Sequence, residues 1–265
     1  MYDFAYAKPA TIADAAKLLA ADPDARAISG GHTLLPALKF RLNKPTTLVD
    51  LSGIAELRGI KRVGDTIVIG AMTRHHEVAT NAEVKAAIPA LAQLAGSIGD
   101  PQVRNRGTIG GSVANNDPAA DYPSAVLGLG ATVHTSKRKI AADDFFQGMF
   151  TTALEQGEIL TAIEFPIPAK AGYAKMKNPA SRYVMAGAFI AKTKAGAVRV
   201  AINGAAPCVF RQAEMEKALG ATWSADAVAG VKQAADGLNS DIHGSAEYRA
   251  HLVTVMAKRA VATAG

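Results

Sequence analysis

Two glycine-containing segments have the composition of anion-binding turns. Residues 29–33 read SGGHT, and residues 106–124 contain three glycines, two adjacent asparagines and two aspartates. Glycine allows a backbone to turn with positive φ and to bring its N–H groups close to a phosphate without a side-chain cation. Residues 107–136 contain no Lys or Arg, so an anion at the second segment is expected to be held mainly by amide dipoles. The alternative for each segment is an ordinary tight turn.

Three further side chains in these segments could do chemistry. His32 lies inside the first turn, where its ring could face a phosphate or a flavin, or cap the following helix. Asp117 and Asp121 could form a carboxylate pair for acid–base catalysis, although Asp117 precedes Pro118 and could simply start a turn. The sequence leaves these alternatives open.

Neither the histidines nor the single cysteine indicate a metal site. His75 and His76 are adjacent, so on a helix their side chains diverge by about 100° and do not easily face one ion. Cys208 is the one cysteine, and it is expected to be a buried small apolar residue. One thiol cannot supply an iron–sulfur cluster, so any such cluster must be on another chain. No metal and no catalytic acid, base or nucleophile is predicted.

The first turn is predicted to join a strand to a helix. Residues 25–29 are typical of a short buried strand and residues 34–42 of a helix, so the turn would present amides at a helix N-terminus, where an anion is favoured. A capping pattern at residues 11–14 predicts an earlier helix. The third glycine of a dinucleotide-fold fingerprint and the Lys of a nucleoside-triphosphate loop are both missing.

The remaining elements predict an α+β fold in three lobes, with boundaries at 1–53, 54–170 and 171–265. In the second lobe, the patterns predict strands at 59–63, 66–70, 131–135 and 159–165 and helices at 73–80 and 88–97. The third lobe is predicted to contain three strands, at 173–177, 187–193 and 198–203, followed by helices at 211–219, 224–235 and 245–262.

Composition indicates a globular protein that is not embedded in a membrane. The chain of 265 residues is 49% hydrophobic and 20% charged, and no apolar run approaches the roughly 18 residues of a membrane span. The N-terminal residues lack the pattern of a signal peptide, which predicts a cytoplasmic protein. The net charge of +6 is dispersed. Its densest cluster, residues 137–139, is expected to lie at a solvated hairpin tip rather than in a nucleic-acid site.

With both turns considered together, the chain resembles the FAD-binding medium subunits of molybdenum hydroxylases, the carbon monoxide dehydrogenase and xanthine dehydrogenase family. The similarity extends essentially end to end. It rests on SGGHTLLP at residues 29–36, DPQVRNRGTIGGS at 100–112 and DPAAD at 117–121, with SAEYR at 245–249 and NPASRY at 178–183. Two long motifs in order are far more specific than one Gly-Gly pair.

The resemblance implies a two-lobed FAD-binding domain of the vanillyl-alcohol-oxidase (PCMH) type, plus a C-terminal lobe of three antiparallel strands and a helix bundle. FAD would extend along the cleft between the first two lobes, with both glycine turns around its pyrophosphate. The implied FAD contacts are Ile28, Ser29, Gly30, Gly31, His32, Thr33, Leu34, Leu35, Ile98, Thr108, Ile109, Gly110, Gly111, Ser112, Asp121, Leu160 and Lys175. Asp121 would accept a hydrogen bond from a sugar hydroxyl or a ring N–H, because a carboxylate repels a pyrophosphate. The family often carries a Lys or Arg and an Asp where this chain has residues 181–185, so the flavin-ring environment departs from the family pattern.

The implied function is electron transfer within a three-subunit oxidoreductase. Molybdopterin on a large subunit would oxidise the organic substrate, iron–sulfur clusters on a small subunit would relay electrons, and FAD here would pass them to NAD, a quinone or another acceptor. The expected assembly is a dimer of heterotrimers, cytoplasmic or attached peripherally to the inner face of the cell membrane. Residues 137–139 could face an acidic partner.

Two other functions are alternatives. Gly-Gly-His also occurs at the flavin attachment site of some oxidases, so a self-sufficient oxidase with FAD linked to His32 is the second hypothesis. The third is a non-enzymatic nucleic-acid-binding module, suggested by the sequence pI of 9.4.

Overall fold

The computed structural model describes residues 1–264 and begins with a small three-stranded sheet. The elements are β1 (Ala5–Ala7), α1 (Ile12–Ala21), β2 (Arg26–Ile28), α2 (Leu34–Lys39) and β3 (Thr47–Asp50). The strands are parallel in the order β1-β3-β2. Thr11 caps α1 by accepting a hydrogen bond from the backbone N–H of Asp14, as its sequence pattern predicts. Since β2 and β3 run in the same direction, the residues that follow them lie at one edge of the sheet.

Helix α2 ends three residues earlier than predicted. Arg41 adopts a left-handed conformation with φ of 59°. Its N–H donates to the Leu38 carbonyl, and the N–H of Leu42 donates to the Ala37 carbonyl. This pair of bonds closes a Schellman turn, which satisfies the last carbonyls of the helix and stops its propagation.

The middle of the chain forms a five-stranded antiparallel sheet flanked by short helices. The elements are β4 (Ile60–Val63), β5 (Thr66–Gly70), α3 (His75–Thr80), α4 (Ala82–Ala87), α5 (Pro89–Gly96), α6 (Pro101–Arg104), α7 (Ile109–Asn115), α8 (Tyr122–Gly128), β6 (Thr132–Thr135), β7 (Lys139–Ala141), α9 (Ala142–Phe145), β8 (Phe146–Gly148), β9 (Thr151–Thr152) and β10 (Leu160–Pro166). The sheet order is β4-β5-β10-β6-β7, and β8 pairs with β9 separately. Residues 137–139 lie between β6 and β7 or open β7, as expected for a hairpin tip.

The segment from 106 to 124 is more regular than its composition predicts, because it contains α7 and begins α8. Thr108 caps α7 by accepting from the N–H of Gly111. Asn116 ends α7 in the left-handed conformation, with φ of 44°. The glycines in α7 therefore permit close packing within a helix rather than a series of turns.

The C-terminal part is a four-stranded antiparallel sheet covered by helices. Its elements are β11 (Lys170–Lys177), β12 (Val184–Lys192), β13 (Val198–Asn203), β14 (Phe210–Arg211), α10 (Ala213–Ala221) and α11 (Ala246–Ala262). The strand order is β11-β12-β13-β14. The predicted three strands are present, and the fourth strand, β14, is too short to produce a recognisable alternation of side chains.

The prediction of a helix over residues 224–235 is wrong. In this segment, the N–H groups of Ala227, Ala229 and Val231 each donate to a carbonyl three residues earlier, forming separate turns. Val228 is buried in the C-terminal core, and Thr254 of α11 donates a hydrogen bond to the Val231 carbonyl. Tertiary contacts with α11 therefore override the local helical pattern, and two helices, not three, cover this sheet.

Three clusters of buried side chains stabilise the molecule. The smallest joins α1 and β3 to Met72 and Ile159, the largest fills the space around the five-stranded sheet and extends to Phe189 on β12, and the third lies between the C-terminal sheet and α11. The clusters include residues from both sides of the predicted lobe boundaries, so neighbouring parts of the chain pack tightly together. The three-lobe division itself stays a prediction.

Candidate functional site

The first glycine turn connects β2 to α2 with almost no free space around it. Gly31 has φ of +74°, a conformation that side chains other than glycine rarely adopt. A methyl group built at Gly30 would lie 2.4 Å from the Arg106 carbonyl oxygen and 2.7 Å from the Gly107 Cα. Gly30 therefore allows two stretches of backbone to touch.

The second glycine turn lies directly against the first. The Thr108 hydroxyl donates to Ser29 Oγ over 3.1 Å. A methyl group at Gly111 would lie 2.5 Å from the same Ser29 oxygen. We call these two segments, residues 29–31 and 107–111, the glycine cradle. The two glycine motifs, which are nearly 80 residues apart in the chain, thus form a single surface.

The five-stranded sheet fixes the position of α7. A methyl group at Gly110 would lie 2.5 Å from Ala71 Cβ. The N–H of Gly110 donates to the Ala71 carbonyl, while Ala71 itself donates to the Thr161 carbonyl of β10. The start of α7 is therefore held against the sheet. The N–H of Ile109 donates to the Thr73 carbonyl, and those of Gly111 and Ser112 donate to the Thr108 hydroxyl and carbonyl, so each N–H of this first turn already has a protein partner.

An open cleft of about 260 Å³ adjoins the glycine cradle. It is lined by Tyr6, Ile28, Ser29, Gly30, Gly31, Leu35, Asp50, Ser52, Arg58, Met72, Arg74, Arg106 and Thr108. Six of the predicted site residues are among them: Ile28, Ser29, Gly30, Gly31, Leu35 and Thr108. The lining comes from the first sheet, from the segment after β3 and from both sides of the cradle.

The cleft is richer in positive charge than the sequence predicts. Arg58, Arg74 and Arg106 all line it. The expectation that amide dipoles would mainly hold an anion here rested on the absence of Lys and Arg between residues 107 and 136. The fold brings three arginines from outside that interval to the cleft beside the cradle, and the sequence pattern did not predict them.

Other predicted residues lie at the edges of the cradle. His32 and Thr33 are exposed and Leu34 is half-buried, whereas Gly111 and Ser112 are half-buried in the first turns of α7. Ile109 is fully buried in the core, and its N–H donates to the Thr73 carbonyl. Leu160 begins β10, pairs with Thr135 and has 4% exposure, which places its side chain in the core and outside the cleft lining.

Asp121 and Lys175 form a second, buried group outside the cleft lining. The Lys175 ammonium lies 2.7 Å from Asp121 Oδ1, and the Tyr173 hydroxyl donates to the same oxygen over 2.7 Å. Burial raises the pKa of the Asp121 carboxyl, and the Lys175 ammonium and the Tyr173 hydroxyl oppose that rise. Lys175 also donates to the Ser97 carbonyl over 3.1 Å, next to Ile98. The structure therefore brings Ile98, Asp121 and Lys175 together.

His75 lies beneath the second turn. A methyl group at Gly107 would lie 2.5 Å from His75 Nε2, and the backbone N–H of His75 donates to the Gly107 carbonyl. Burial, followed by the positive charges of His32 and Arg104, lowers the pKa of His75 to about 4. The ring is therefore neutral near pH 7, and its Nδ1 has no hydrogen-bond partner within residues 1–264. His75 supports the turn sterically, without adding charge.

Asn116 and Asp117 have structural roles. The Asn116 side chain donates to the carbonyls of Gly148 and Thr151 over 2.7 Å and 2.9 Å, so it anchors the β8–β9 hairpin. The Asp117 carboxylate accepts from the N–H of Ala119, which forms the turn that its position before proline allows. Asp117 therefore has the turn-forming role that the sequence allowed, whereas Asp121 forms the buried ion pair with Lys175.

Sequence reasoning missed Tyr6, Asp50, Ser52 and the three arginines of the cleft. Asp50 and Ser52 follow β3, at the same sheet edge as the first turn, and the rule that ligands bind at the carboxyl ends of parallel strands could have identified them. Arg74 pairs with Thr108 through an isolated backbone bridge. No local pattern predicts this bridge.

The parts of the chain that the structure describes contain no cluster of three metal-ligating side chains. Within residues 1–264, no helix has the length and apolar character needed to cross a bilayer.

Comparison with known proteins places this geometry in a family. Residues 2–168 match the FAD binding domain in molybdopterin dehydrogenase, and residues 173–264 match the CO dehydrogenase flavoprotein C-terminal domain. The chain is 35% identical to the carbon monoxide dehydrogenase medium chain of Hydrogenophaga pseudoflava over 97% of this chain and 96% of the relative. It is 36% identical to the nicotine 6-hydroxylase medium subunit of Paenarthrobacter nicotinovorans over 98% and 96%.

A solved structure gives the same result at the level of the fold. A chain of reconstituted CO dehydrogenase from Oligotropha carboxidovorans superimposes with a TM-score of 0.92 at 37% identity, covering 98% of this chain and 97% of that one. Both parts of the sequence and the whole fold agree. The chain therefore belongs to the family of FAD-binding medium subunits of molybdenum hydroxylases.

Proposed function

We propose that this chain is the FAD-binding electron-transfer subunit of a heterotrimeric molybdenum hydroxylase. It would receive electrons from iron–sulfur clusters on a small subunit, after a large molybdopterin subunit has oxidised the substrate, and deliver them to an external acceptor such as NAD or a quinone. Medium chains in multisubunit dehydrogenases support this assignment. A dimer of heterotrimers in the cytoplasm, or attached peripherally to the inner face of the cell membrane, is part of the same proposal.

The observation that carries the proposal is the direct contact between the two glycine turns. A diphosphate needs close approach of the backbone, which glycine permits. Ser29 and Thr108 join the two turns, and Gly30 and Gly111 leave no room for a side chain. The cradle therefore fits the pyrophosphate of FAD.

We assign FAD contacts to two groups of residues. The cradle group comprises Ile28, Ser29, Gly30, Gly31, His32, Thr33, Leu34, Leu35, Thr108, Ile109, Gly110, Gly111 and Ser112. The second group comprises Ile98, Asp121 and Lys175, with Leu160 as a residue that supports the site from the core. When bound, FAD supplies the redox chemistry, and the protein supplies binding, orientation and electrostatics.

The buried second group can donate and accept hydrogen bonds at fixed positions. One oxygen of Asp121 is occupied by Lys175 and Tyr173, which leaves the other oxygen as an acceptor for a sugar hydroxyl or a ring N–H. These residues would orient the cofactor, and none of them needs to act as an acid or base.

The substrate class is that of the family: carbon monoxide, an aldehyde or an N-heterocycle. Relatives named for carbon monoxide dehydrogenase and for nicotine 6-hydroxylase are equally similar to this chain, at 35% and 36% identity. Substrate specificity would therefore be determined by the large subunit.

The test is to purify the full chain, alone and with its partner subunits, and to record the visible spectrum before and after adding FAD. We expect a flavin spectrum that requires the glycine cradle. A colourless protein in both preparations, at micromolar excess of FAD, would contradict the proposal. Acid precipitation separates the remaining alternative: release of the yellow colour supports this function, whereas colour that stays in the pellet indicates an oxidase with FAD linked to His32.

A further inference from the structure

The cleft beside the glycine cradle gathers three guanidinium groups from separate elements. Arg58 follows a 3-10 turn after β3, Arg74 precedes α3, and Arg106 precedes the second glycine turn. All three side chains are exposed and line the same cleft. Such convergence indicates recognition of an anion rather than support of the core.

Each arginine has one contact that fixes part of it. The Arg58 guanidinium donates to the Ser52 carbonyl over 3.1 Å. Arg74 forms its backbone bridge with Thr108. The Arg106 carbonyl lies against Gly30, where a methyl group would come within 2.4 Å of it. The side chain of Arg58 and the backbone of Arg74 and Arg106 are therefore held beside the cradle before any ligand binds.

These guanidiniums are not neutralised by the protein. Within residues 1–264, none of the three forms an ion pair, whereas Arg138, Arg199, Arg211 and Arg249 all do. Arg74 and Arg106 therefore keep their capacity for bidentate, charge-assisted hydrogen bonds to phosphate, and Arg58 keeps the N–H groups that Ser52 does not occupy.

One carboxylate lines the cleft, and its oxygens are already occupied. Asp50 accepts from the Ser52 N–H over 2.8 Å, from the Ser52 hydroxyl and from the Tyr6 hydroxyl. Three positive charges and one negative charge leave the lining with a formal charge of +2. A diphosphate diester, which carries one negative charge on each phosphate, matches that charge.

We propose that Arg58, Arg74 and Arg106 recognise the diphosphate of a nucleotide and make it, rather than the flavin ring, the main determinant of affinity at this site. The inference rests on the proposed FAD site and deepens it, because it identifies the chemical class that the cleft selects. ADP, which shares the nucleoside diphosphate of FAD, binds the site and competes with FAD. Riboflavin, which lacks phosphate, binds weakly and independently of the arginines.

The experiment measures binding of FAD, ADP and riboflavin to the full chain, alone and with its partner subunits, by calorimetry at two salt concentrations. The variant R58Q/R74Q/R106Q is compared with K61Q/K85Q/K217Q, which removes the same charge from exposed lysines outside the cleft lining. Thermal unfolding of each variant shows whether it has folded.

We expect the arginine variant to bind ADP and FAD at least about 100-fold more weakly, since each lost charge-assisted contact costs roughly tenfold. Its ADP affinity should also depend less on salt. The lysine control should change affinity less than about threefold, and riboflavin binding should be the same in all three proteins.

Several results would overturn the inference: unchanged ADP and FAD binding by the folded arginine variant, an equal loss in the lysine control, or no ADP binding by the wild-type chain in either preparation. FAD binding that does not depend on the arginines would refute this inference alone. Arginine-dependent ADP binding without FAD binding would refute the proposed function alone.

Discussion

Replacement of Gly30 by alanine tests whether contact between the two turns creates the site. The new methyl carbon would lie 2.4 Å from the Arg106 carbonyl oxygen and 2.7 Å from the Gly107 Cα. To restore van der Waals distance, the two backbones would have to separate by about 1 Å. Both obstacles are backbone atoms, so no side-chain rotation relieves the clash.

This separation should damage the cradle more than the fold. The bond between the Thr108 hydroxyl and Ser29 is 3.1 Å long, and an additional ~1 Å would break it. Overpacking costs about 1–3 kcal/mol in a well-packed region, and the lost hydrogen bond costs about 1 kcal/mol more. A matching loss of about 2–4 kcal/mol of binding free energy corresponds to FAD affinity reduced about 30- to 1,000-fold.

The assay is FAD titration of Gly30→Ala, followed by the change in flavin absorbance, with thermal unfolding of the apoprotein in parallel. Gly220→Ala is the matched control, because a methyl group there has nothing within 4 Å and the position lies inside α10. Alanine at this helical position should be neutral or stabilising by about 0.5–1 kcal/mol. The reasoning is refuted if Gly30→Ala binds FAD as tightly as the wild-type chain.

Three further predictions concern stability. Because the His75 pKa falls from 6.5 to about 4 on folding, about 3 kcal/mol of stability should be lost as pH falls from 6.5 to 4. In urea unfolding, the free energy of unfolding of His75→Gln should depend less on pH than that of the wild-type chain. Identical pH profiles for the two proteins would contradict this prediction. Burial alone would raise the pKa of Glu158, but hydrogen bonds from Arg138 and Thr135 outweigh it and lower the pKa to about 2. The stability that Glu158 contributes is therefore present above its unfolded pKa of about 4.3, should disappear toward pH 2, and should be absent from Glu158→Gln at every pH. A wild-type acid transition no different from that of this variant would argue against this prediction. Asn116→Gly keeps the left-handed backbone but loses both hydrogen bonds to the β8–β9 hairpin, so it should lower the free energy of unfolding by about 2–3 kcal/mol. A loss under 0.5 kcal/mol in denaturant titrations would be inconsistent with Asn116 anchoring the hairpin.

Sequence reasoning was most successful where one short segment carries the whole signal. The strand before Ser29, the strands predicted at 59–63 and 66–70 and the cap at Thr11 all have local causes, namely glycine, turn residues and a hydroxyl followed by an acid. The strand before Ser29 was predicted to be buried, but its residues are exposed or half-buried. The helical pattern of residues 224–235 misled because Val228 is buried against distant parts of the chain. Local propensity cannot register such contacts.

The site was only partly predictable for the same reason. The two glycine motifs were visible because each occupies a few consecutive residues. Arg58 and Arg74 belong to no motif, and only the fold brings them to the cleft. A carboxylate such as Asp121 could be named from a resemblance, but its ion pair with Lys175 on β11 required the three-dimensional structure.

The contact between Ser29 and Thr108 joins positions 79 residues apart. During synthesis at about 5–20 residues per second, the first turn emerges several seconds before its counterpart. The proposed FAD site would therefore be complete only after α7 has formed against the five-stranded sheet. The proposal makes cofactor loading a late step in the biogenesis of this protein, because a chain truncated before residue 107 would lack the second half of the cradle.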